Sequence, residues 1–213
     1  MIINWLGHSF FKIETQNRII AIDPFSEEKV GIKPSRFKAD IVLSTHDHVG
    51  HNNIDLIMGE PFVLTTPGEI EINGIFVKGI SSMHDNNGGA DLGKNTIFVI
   101  DSEGMRLVHL GDFGEKKLKD DLLERLGTVD ILLVPISSQH RNQPIEDAIS
   151  IIKQIEPKVI IPMHYGNKQE KDGLEKFVKE IGIEPEKLDK LNIKKSSLSD
   201  DEDAQTQLII LQN

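Results

Sequence analysis

A short segment with three histidines constrains this chain more than any other feature. It spans residues 44–52, with the sequence Ser-Thr-His-Asp-His-Val-Gly-His-Asn, and follows the apolar run Ile41-Val42-Leu43. A short apolar run of this kind is typical of a buried strand, so the histidines are expected in the loop after it. Histidine is the commonest metal ligand among side chains, and three of the eight in the chain lie here. The segment therefore predicts a metal site, with a histidine-rich surface loop as the alternative.

The spacing within this segment indicates how the three histidines are divided between two metal ions. His46 and His48 are two residues apart, so they share one face of an extended chain and can converge on one ion. His51 comes three residues later and is suited to a second ion. The chain has no cysteine, which excludes disulfides and thiolate ligands. Histidine, aspartate and glutamate together suit zinc, manganese or iron, so we expect one or two divalent ions per chain.

Three further candidate ligands each follow the end of a predicted strand. His84 comes after the strand at 75–80, Asp112 after 105–110, and His164 after 158–161. Ligands of α/β proteins gather at strand ends, where loops direct side chains into a common crevice. A single histidine in such a place is more often structural, but the repeated placement predicts one shared site.

The alternation of strand and helix patterns predicts an α/β fold. Apolar runs and turn signals predict strands at 2–6, 9–14, 18–22, 62–65, 96–101, 130–134 and 206–211, and helices at 117–126, 144–155 and 171–181. Residues 183–203 are charged, and the acidic run from Asp200 to Asp203 is interpreted as a solvated loop. No linker or repeat divides the chain, so residues 1–213 are predicted to form one layered domain.

Charge and hydropathy exclude several classes of function. The formal net charge is −10, which disfavours broad binding to nucleic acid or to an anionic membrane. No apolar stretch is long enough to span a bilayer, and the start of the chain lacks the features of a signal peptide. We therefore expect a cytoplasmic protein that acts on a small molecule, with a homo-oligomer left open.

Eight motifs in chain order carry a family resemblance. They are Leu6-Gly7-His8-Ser9, Asp23-Pro24, His46-Asp47-His48-Val49-Gly50-His51, Pro67-Gly68-Glu69, His84-Asp85, Lys94-Asn95-Thr96, His109-Leu110-Gly111-Asp112 and Ile161-Pro162-Met163-His164-Tyr165. Together they resemble the metallo-β-lactamase-fold superfamily, and within it the small metal-dependent hydrolases that include bacterial ascorbate-6-phosphate lactonase. The resemblance implies a four-layered αββα sandwich with the metal site along one edge of the two sheets.

The resemblance also implies a role for each ligand. His46, His48 and His84 resemble ligands of a first metal, and His51 and His164 resemble ligands of a second. Asp112 resembles the carboxylate that bridges two ions, which lie about 3.5–4 Å apart in two-metal sites. Asp112 and His164 are thus also the catalytic candidates. Asp23 resembles an aspartate that supports the histidine loop from behind.

The sequence departs from the family pattern at Gly50. The pattern is His-x-His-x-Asp-His, and its aspartate, which binds the second metal, is a glycine here. Three consequences follow as alternatives. The second site is weak and the enzyme uses one ion; a nearby acid such as Asp47 or Asp85 substitutes; or the chain binds metal and turns over poorly.

The implied activity is hydrolysis of a small ester, lactone or phosphoester by a metal-bound hydroxide. A phosphodiesterase or nuclease is the enzymatic alternative, and a degenerate metal-binding protein is the non-enzymatic one. His8, His140 and Arg141 are candidates for contact with substrate, Arg being suited to a phosphate or carboxylate. His109, three residues before Asp112, is interpreted as a structural histidine.

Overall fold

Apolar residues in short, closely spaced strands build the first of two β-sheets. The computed structural model describes residues 1–136, 144–165, 171–199 and 205–212. The first sheet contains β1 (Ile2–Trp5), β2 (Phe11–Thr15), β3 (Arg18–Ile22), β4 (Ile41–Leu43), β5 (Phe62–Leu64) and β13 (Leu191–Asn192). Their order across the sheet is β13-β1-β2-β3-β4-β5. The predicted strands at 2–6, 9–14, 18–22 and 41–44 are therefore present.

The second sheet is larger and is formed mainly by the C-terminal part of the chain. It contains β6 (Gly68–Ile72), β7 (Ile75–Met83), β8 (Lys94–Ser102), β9 (Met105–His109), β10 (Ile131–Pro135), β11 (Val159–Met163), β12 (Pro185–Leu188) and β14 (Gln207–Leu211). The order is β12-β14-β11-β10-β9-β8-β7-β6. The helices are α1 (Glu27–Val30), α2 (Asp120–Leu126), α3 (Ile145–Ile155) and α4 (Lys171–Ile181).

The two sheets pack face to face. Successive side chains of a strand point to opposite faces of its sheet, so one face of the first sheet packs against the second sheet and the other face belongs to a separate apolar cluster. Ile20 and Ile22 of β3 belong to the main apolar cluster, together with residues of the second sheet such as Leu107. Ala21, between them, belongs to a smaller cluster with Phe25 on the outer face of the first sheet. The α2, α3 and α4 helices contribute apolar residues to the main cluster from the far side of the second sheet. This arrangement confirms the predicted αββα sandwich.

Strand direction brings the predicted ligands to one edge of the sandwich. The β9, β10 and β11 strands are parallel, and β7 runs the same way because both β7 and β9 are antiparallel to β8. The carboxyl ends of β7, β9 and β11 therefore lie at the same edge. Two backbone hydrogen bonds join the sheets there, from Thr96 N–H to Thr45 O (2.8 Å) and from His164 N–H to His8 O (3.0 Å).

The acidic run at 200–203, predicted as a solvated loop, lies outside the described residues, but the charged stretch before it contains two strands that the sequence did not predict. Pro185–Leu188 forms β12, parallel to β14, and Leu191–Asn192 pairs with β1. β12 lies at the edge of its sheet, where charged side chains are favoured because one side has no neighbouring strand. Its charged sequence therefore lacks the apolar alternation that predicts a strand. Among the helices of the described residues, none is long and apolar enough to cross a membrane.

Candidate metal centre

Asp112 lies at the centre of the histidine cluster. Its Oδ2 is 3.1 Å from His84 Nε2, 3.6 Å from His51 Nε2 and 4.0 Å from His46 Nε2. Its other oxygen, Oδ1, is 3.1 Å from His164 Nε2. The two carboxylate oxygens thus face different histidines, as a carboxylate between two ions would. All five side chains are buried, although they come from four separate segments of the chain.

Three overlapping groups of side chains place their ligand atoms within 4.8 Å of one another. One is His46, His48 and His84, the predicted first site. Another is His46, His51 and Asp112, which lies between the two predicted sites. The third is His8, His51 and His164, which adds His8 to two predicted ligands of the second site. Three nitrogens that bind one tetrahedral zinc at 2.0–2.1 Å lie roughly 3.3 Å apart, so small side-chain movements would complete each group.

The protonation state and the hydrogen bonding of these histidines suit a metal. His46 Nε2 and His84 Nε2 are buried and form no hydrogen bond in the described part of the chain, the latter although Asp112 Oδ2 lies 3.1 Å away. Leaving a buried polar atom in that state costs about 1–3 kcal/mol, and a bound ion would satisfy it. Burial, and then the neighbouring His51, hold the pKa of His46 far below its usual value. His46 is therefore neutral near pH 7, which is the state that coordinates metal.

Asp23 orients two of the histidines from behind. It is fully buried, and its Oδ2 accepts hydrogen bonds from His51 Nδ1 and from Thr45 Oγ1, both at 2.8 Å. Its Oδ1 accepts one from the Thr45 N–H at 2.8 Å. Thr45 Oγ1 also lies 2.9 Å from His46 Nδ1. Because Thr45 donates its own proton to Asp23, it accepts the proton of His46 Nδ1. Both rings thus carry hydrogen on Nδ1 and present Nε2 to the centre.

Asn95 positions Asp112 in a comparable way. Its Oδ1 accepts the Asp112 N–H at 2.9 Å, and its Nδ2 donates to Leu110 O and to Ser82 Oγ. Sequence analysis identified neither Asn95 nor Thr45 in these roles. Thr45 precedes a ligand directly, and that adjacency could have indicated it. Asn95 belongs to the Lys94-Asn95-Thr96 motif of the family resemblance, but no local pattern links it to Asp112, which lies 17 residues away.

Neither acid proposed to replace the missing carboxylate at position 50 belongs to a ligand group. Asp85 accepts four backbone N–H groups, from Leu92, Gly89, Asn87 and Asp91. These four hydrogen bonds lower the pKa of Asp85 to about 2, and the bond from the Leu92 N–H has the largest effect. Asp47 is exposed and accepts a hydrogen bond from Asn52. Both carboxylates therefore have other partners.

The remaining candidates separate clearly. His109 is fully buried, its Nδ1 accepts the Gly111 N–H, and its Nε2 is 3.2 Å from Ser9 O. Both of its nitrogens are thus occupied, as expected of a structural histidine. His8 lies in the cluster, with its ring centroid 4.1 Å from that of His164. His140 and Arg141 lie outside the described residues, so their contact with substrate stays a prediction.

Comparisons with known proteins agree with this geometry. A family model described as a beta-lactamase superfamily domain matches residues 2–164. A UPF0173 metal-dependent hydrolase of Thermoplasma acidophilum is 30% identical over 191 residues, which cover 76% of this chain and 82% of that protein. One from Methanopyrus kandleri is 27% identical and covers 87% of this chain and 95% of its own. A Thermotoga maritima structure, provisionally named a Zn-dependent hydrolase of the metallo-beta-lactamase superfamily, superposes with a TM-score of 0.76. It is 29% identical, with 99% of both chains covered.

Proposed function

We propose a small ester, lactone or phosphoester as the substrate of this chain, which belongs to the beta-lactamase superfamily and is a metal-dependent hydrolase. The cluster around Asp112 is the metal centre in this proposal. His46, His48 and His84 hold the first ion, His51 and His164 contribute to the second, and Asp112 lies between the two. Zinc is the metal that we propose, because the donors are mostly imidazole nitrogens.

One observation carries the proposal, namely the position of Asp112 between two sets of histidines. Its Oδ2 is 3.1 Å from His84 and its Oδ1 is 3.1 Å from His164. A structural aspartate would be expected to accept hydrogen bonds from backbone groups, as Asp85 does. Asp112 instead has buried imidazoles around both oxygens, an arrangement that supports two cations.

The bound metals would lower the pKa of water and polarise a carbonyl or phosphoryl oxygen. The chain itself supplies orientation. Asp23 and Thr45 fix the protons of His51 and His46 on Nδ1, and Asn95 holds the backbone of Asp112. Because these groups are buried, they keep their positions without reorganisation when charge develops on the substrate.

A small substrate is favoured over a nucleic acid because of the charge of the protein. The formal net charge of −10 disfavours binding of a polyanion, whereas a single phosphate or carboxylate needs only a local cationic contact. Arg141 remains the candidate for that contact. A nuclease would be expected to have a basic face to which the phosphate backbone of the nucleic acid could bind.

Metal content and hydrolysis test the proposal together. Purified protein should bind zinc, and His46→Ala should remove the first ion and hydrolysis. Asp130→Asn serves as the control, because Asp130 is also a buried carboxylate but accepts the Arg106 N–H and lies near Lys195 rather than near the cluster. The substrates are p-nitrophenyl acetate, a γ-lactone and bis(p-nitrophenyl) phosphate. The proposal would be contradicted if the zinc-loaded protein hydrolysed none of the three substrates, or if hydrolysis persisted after the metal was removed.

A further inference from the structure

We propose that His8 is a ligand of the second metal and takes the place of the carboxylate that is missing at position 50. This inference rests on the proposed metal centre, but it concerns which residues complete it. The ligand set of the second ion is then His8, His51 and His164, with Asp112 shared between both ions. Neither the family pattern nor the sequence analysis assigns His8 to a metal.

The first support is the distance between His8 and the other ligands. The His8 ring centroid is 4.1 Å from that of His164 and 5.0 Å from that of His51. One nitrogen of each of the three rings lies within 4.8 Å of the others. His8 therefore forms a triangle of nitrogens with the two histidines expected at the second site.

The second support is the contact between His8 and Gly50. A Cβ built on Gly50 would lie 3.1 Å from His8 Nε2 and 3.6 Å from His8 Cδ2, and these are the two atoms within 4 Å of it. The imidazole of His8 thus borders the space that a side chain at position 50 would enter. A contact of 3.1 Å is tighter than ordinary packing, so His8 would have to move by a few tenths of an ångström to admit a side chain at 50. His8 belongs to the Leu6-Gly7-His8-Ser9 motif that resembles the family, so the departure in this chain is the glycine, and the imidazole of His8 is the donor beside it.

The third support is the backbone that holds His8. Its φ is +54°, a left-handed conformation that a non-glycine residue adopts at a cost of about 1–3 kcal/mol. Its carbonyl accepts hydrogen bonds from Trp5 Nε1 (2.9 Å) and from the His164 N–H (3.0 Å). His164 is itself left-handed, with φ +64°. The turn is therefore fixed directly to another ligand, and strain of this kind is typical of functional sites.

The candidate acids do not offer another explanation. Asp85 is committed to four backbone N–H groups and Asp47 is exposed with a partner of its own. Among the described residues, His8 is the group that joins two expected second-site ligands in a metal-sized cluster. Neutral imidazole is a good zinc ligand, so its substitution for a carboxylate keeps the number of donors.

An exchange of residues between positions 8 and 50 tests the proposal. His8→Gly removes the imidazole and keeps a residue that accepts positive φ. Gly50→Asp restores the family carboxylate and places its Cβ 3.1 Å from His8 Nε2. The double variant His8→Gly/Gly50→Asp has the carboxylate and the space for it. His46→Ala, which affects the first site, shows which equivalent of metal belongs to which site.

Zinc equivalents after dialysis, and titration with Co²⁺ followed by its absorption spectrum, provide readouts independent of activity. We expect two equivalents in the wild type. His8→Gly should weaken the second by more than the 10–100-fold that loss of an outer hydrogen-bond partner causes. Gly50→Asp alone should keep the second equivalent, because His8 has to move by only a few tenths of an ångström. The double variant should regain the affinity for the second equivalent that His8→Gly loses. His46→Ala should lose the first equivalent and keep the second.

The outcomes distinguish this inference from the proposed function. A His8→Gly protein that keeps both equivalents at wild-type affinity, or a wild type that binds only one, would overturn the role of His8 and leave a hydrolytic first site intact. A wild type that binds no metal would instead overturn the proposed function. Thermal unfolding of the metal-free variants reveals any loss of folding. The double variant carries the same change at position 8. If it regains the second ion, the loss of that ion in His8→Gly is due to the missing donor and not to misfolding.

Discussion

Asp23→Asn separates the orientation of the histidines from their presence. The amide oxygen can keep the Thr45 N–H, which now bonds to Asp23 Oδ1 at 2.8 Å. The amide nitrogen then faces two donors, Thr45 Oγ1 and His51 Nδ1, both 2.8 Å from the present Oδ2. Asparagine also tolerates the left-handed backbone of Asp23, whose φ is +53°. The substitution therefore changes two hydrogen bonds and little else.

The expected cost follows from these two bonds. Hydrogen bonds to a charged group contribute about 1.5–3 kcal/mol each, and rotation of the Thr45 hydroxyl can recover part of the loss. We expect the free energy of unfolding of the metal-free protein to fall by about 3 kcal/mol, which lowers Tm by roughly 6–12 °C for a chain of this length. His51 Nδ1 would keep only the Ser9 hydroxyl, 3.0 Å away, as an acceptor, which is weaker than the carboxylate, so the tautomer with the proton on Nε2 would become more populated. The second ion should then bind about 10–100-fold more weakly.

Zinc titration and thermal unfolding of the metal-free protein measure the two effects separately. Asp130→Asn is the matched control, since it also alters a buried carboxylate that accepts a backbone N–H. The control should lower Tm and leave zinc affinity unchanged. If Asp23→Asn lowers Tm by the same amount but binds both ions as the wild type does, then Asp23 supports the fold alone and the reasoning about the histidine proton is refuted.

Two further substitutions test the support of the site and the electrostatics of the fold. Gly111→Ala would place its Cβ on Asn95 Oδ1 and 2.8 Å from Thr45 Cβ, at φ +58°, so it should displace Asp112 and reduce binding of both ions at least tenfold. Gly104→Ala has a similar φ of +73° but its nearest contact is 3.9 Å away, and it should lower Tm without any change in zinc titration. Equal zinc affinity in the two variants would argue against the role of Asn95. Burial acts to raise the pKa of Asp40, but hydrogen bonds from the Ile19 N–H and from Arg18 outweigh it and hold the pKa below its usual 3.8. The stabilisation from Asp40 is thus complete above about pH 4 and is lost as the pH falls through the lowered pKa, so urea unfolding should show a smaller difference between wild type and Asp40→Asn at pH 3 than at pH 7. A difference that does not shrink at pH 3 would contradict this.

Local sequence patterns predicted most of the strands near the site. The apolar run at 41–43 is β4, and the predicted hairpin at 96–101 and 105–110 corresponds to β8 and β9. These strands are buried, and burial leaves a clear apolar signal. β12 left no such signal, because it lies at a sheet edge where hydrogen bonds to β14 and not apolar packing place it. β11 extends through Pro162 to Met163, two residues beyond the end predicted at 161. Its pairing with β14 stops at Ile160, so no β14 residue pairs with Pro162.

The sequence by itself determined the chemistry available to this protein. It shows histidine and aspartate after strand ends, no cysteine, and a glycine where a carboxylate is expected. Each of these is a property of residue type and of local pattern, which requires no knowledge of distant neighbours. From them alone, Gly50 indicates a defect in the second site.

Only the tertiary structure decided what fills that defect. His8 and Gly50 are 42 residues apart, and no local pattern relates them. They meet because the turn after β1 and the loop after β4 emerge at the same edge of the first sheet, and because His8 O binds the His164 N–H of the second sheet. Such contacts depend on how two sheets pack and on a left-handed turn. The same glycine is thus a missing ligand in the sequence and, in the fold, the space that the imidazole of His8 borders.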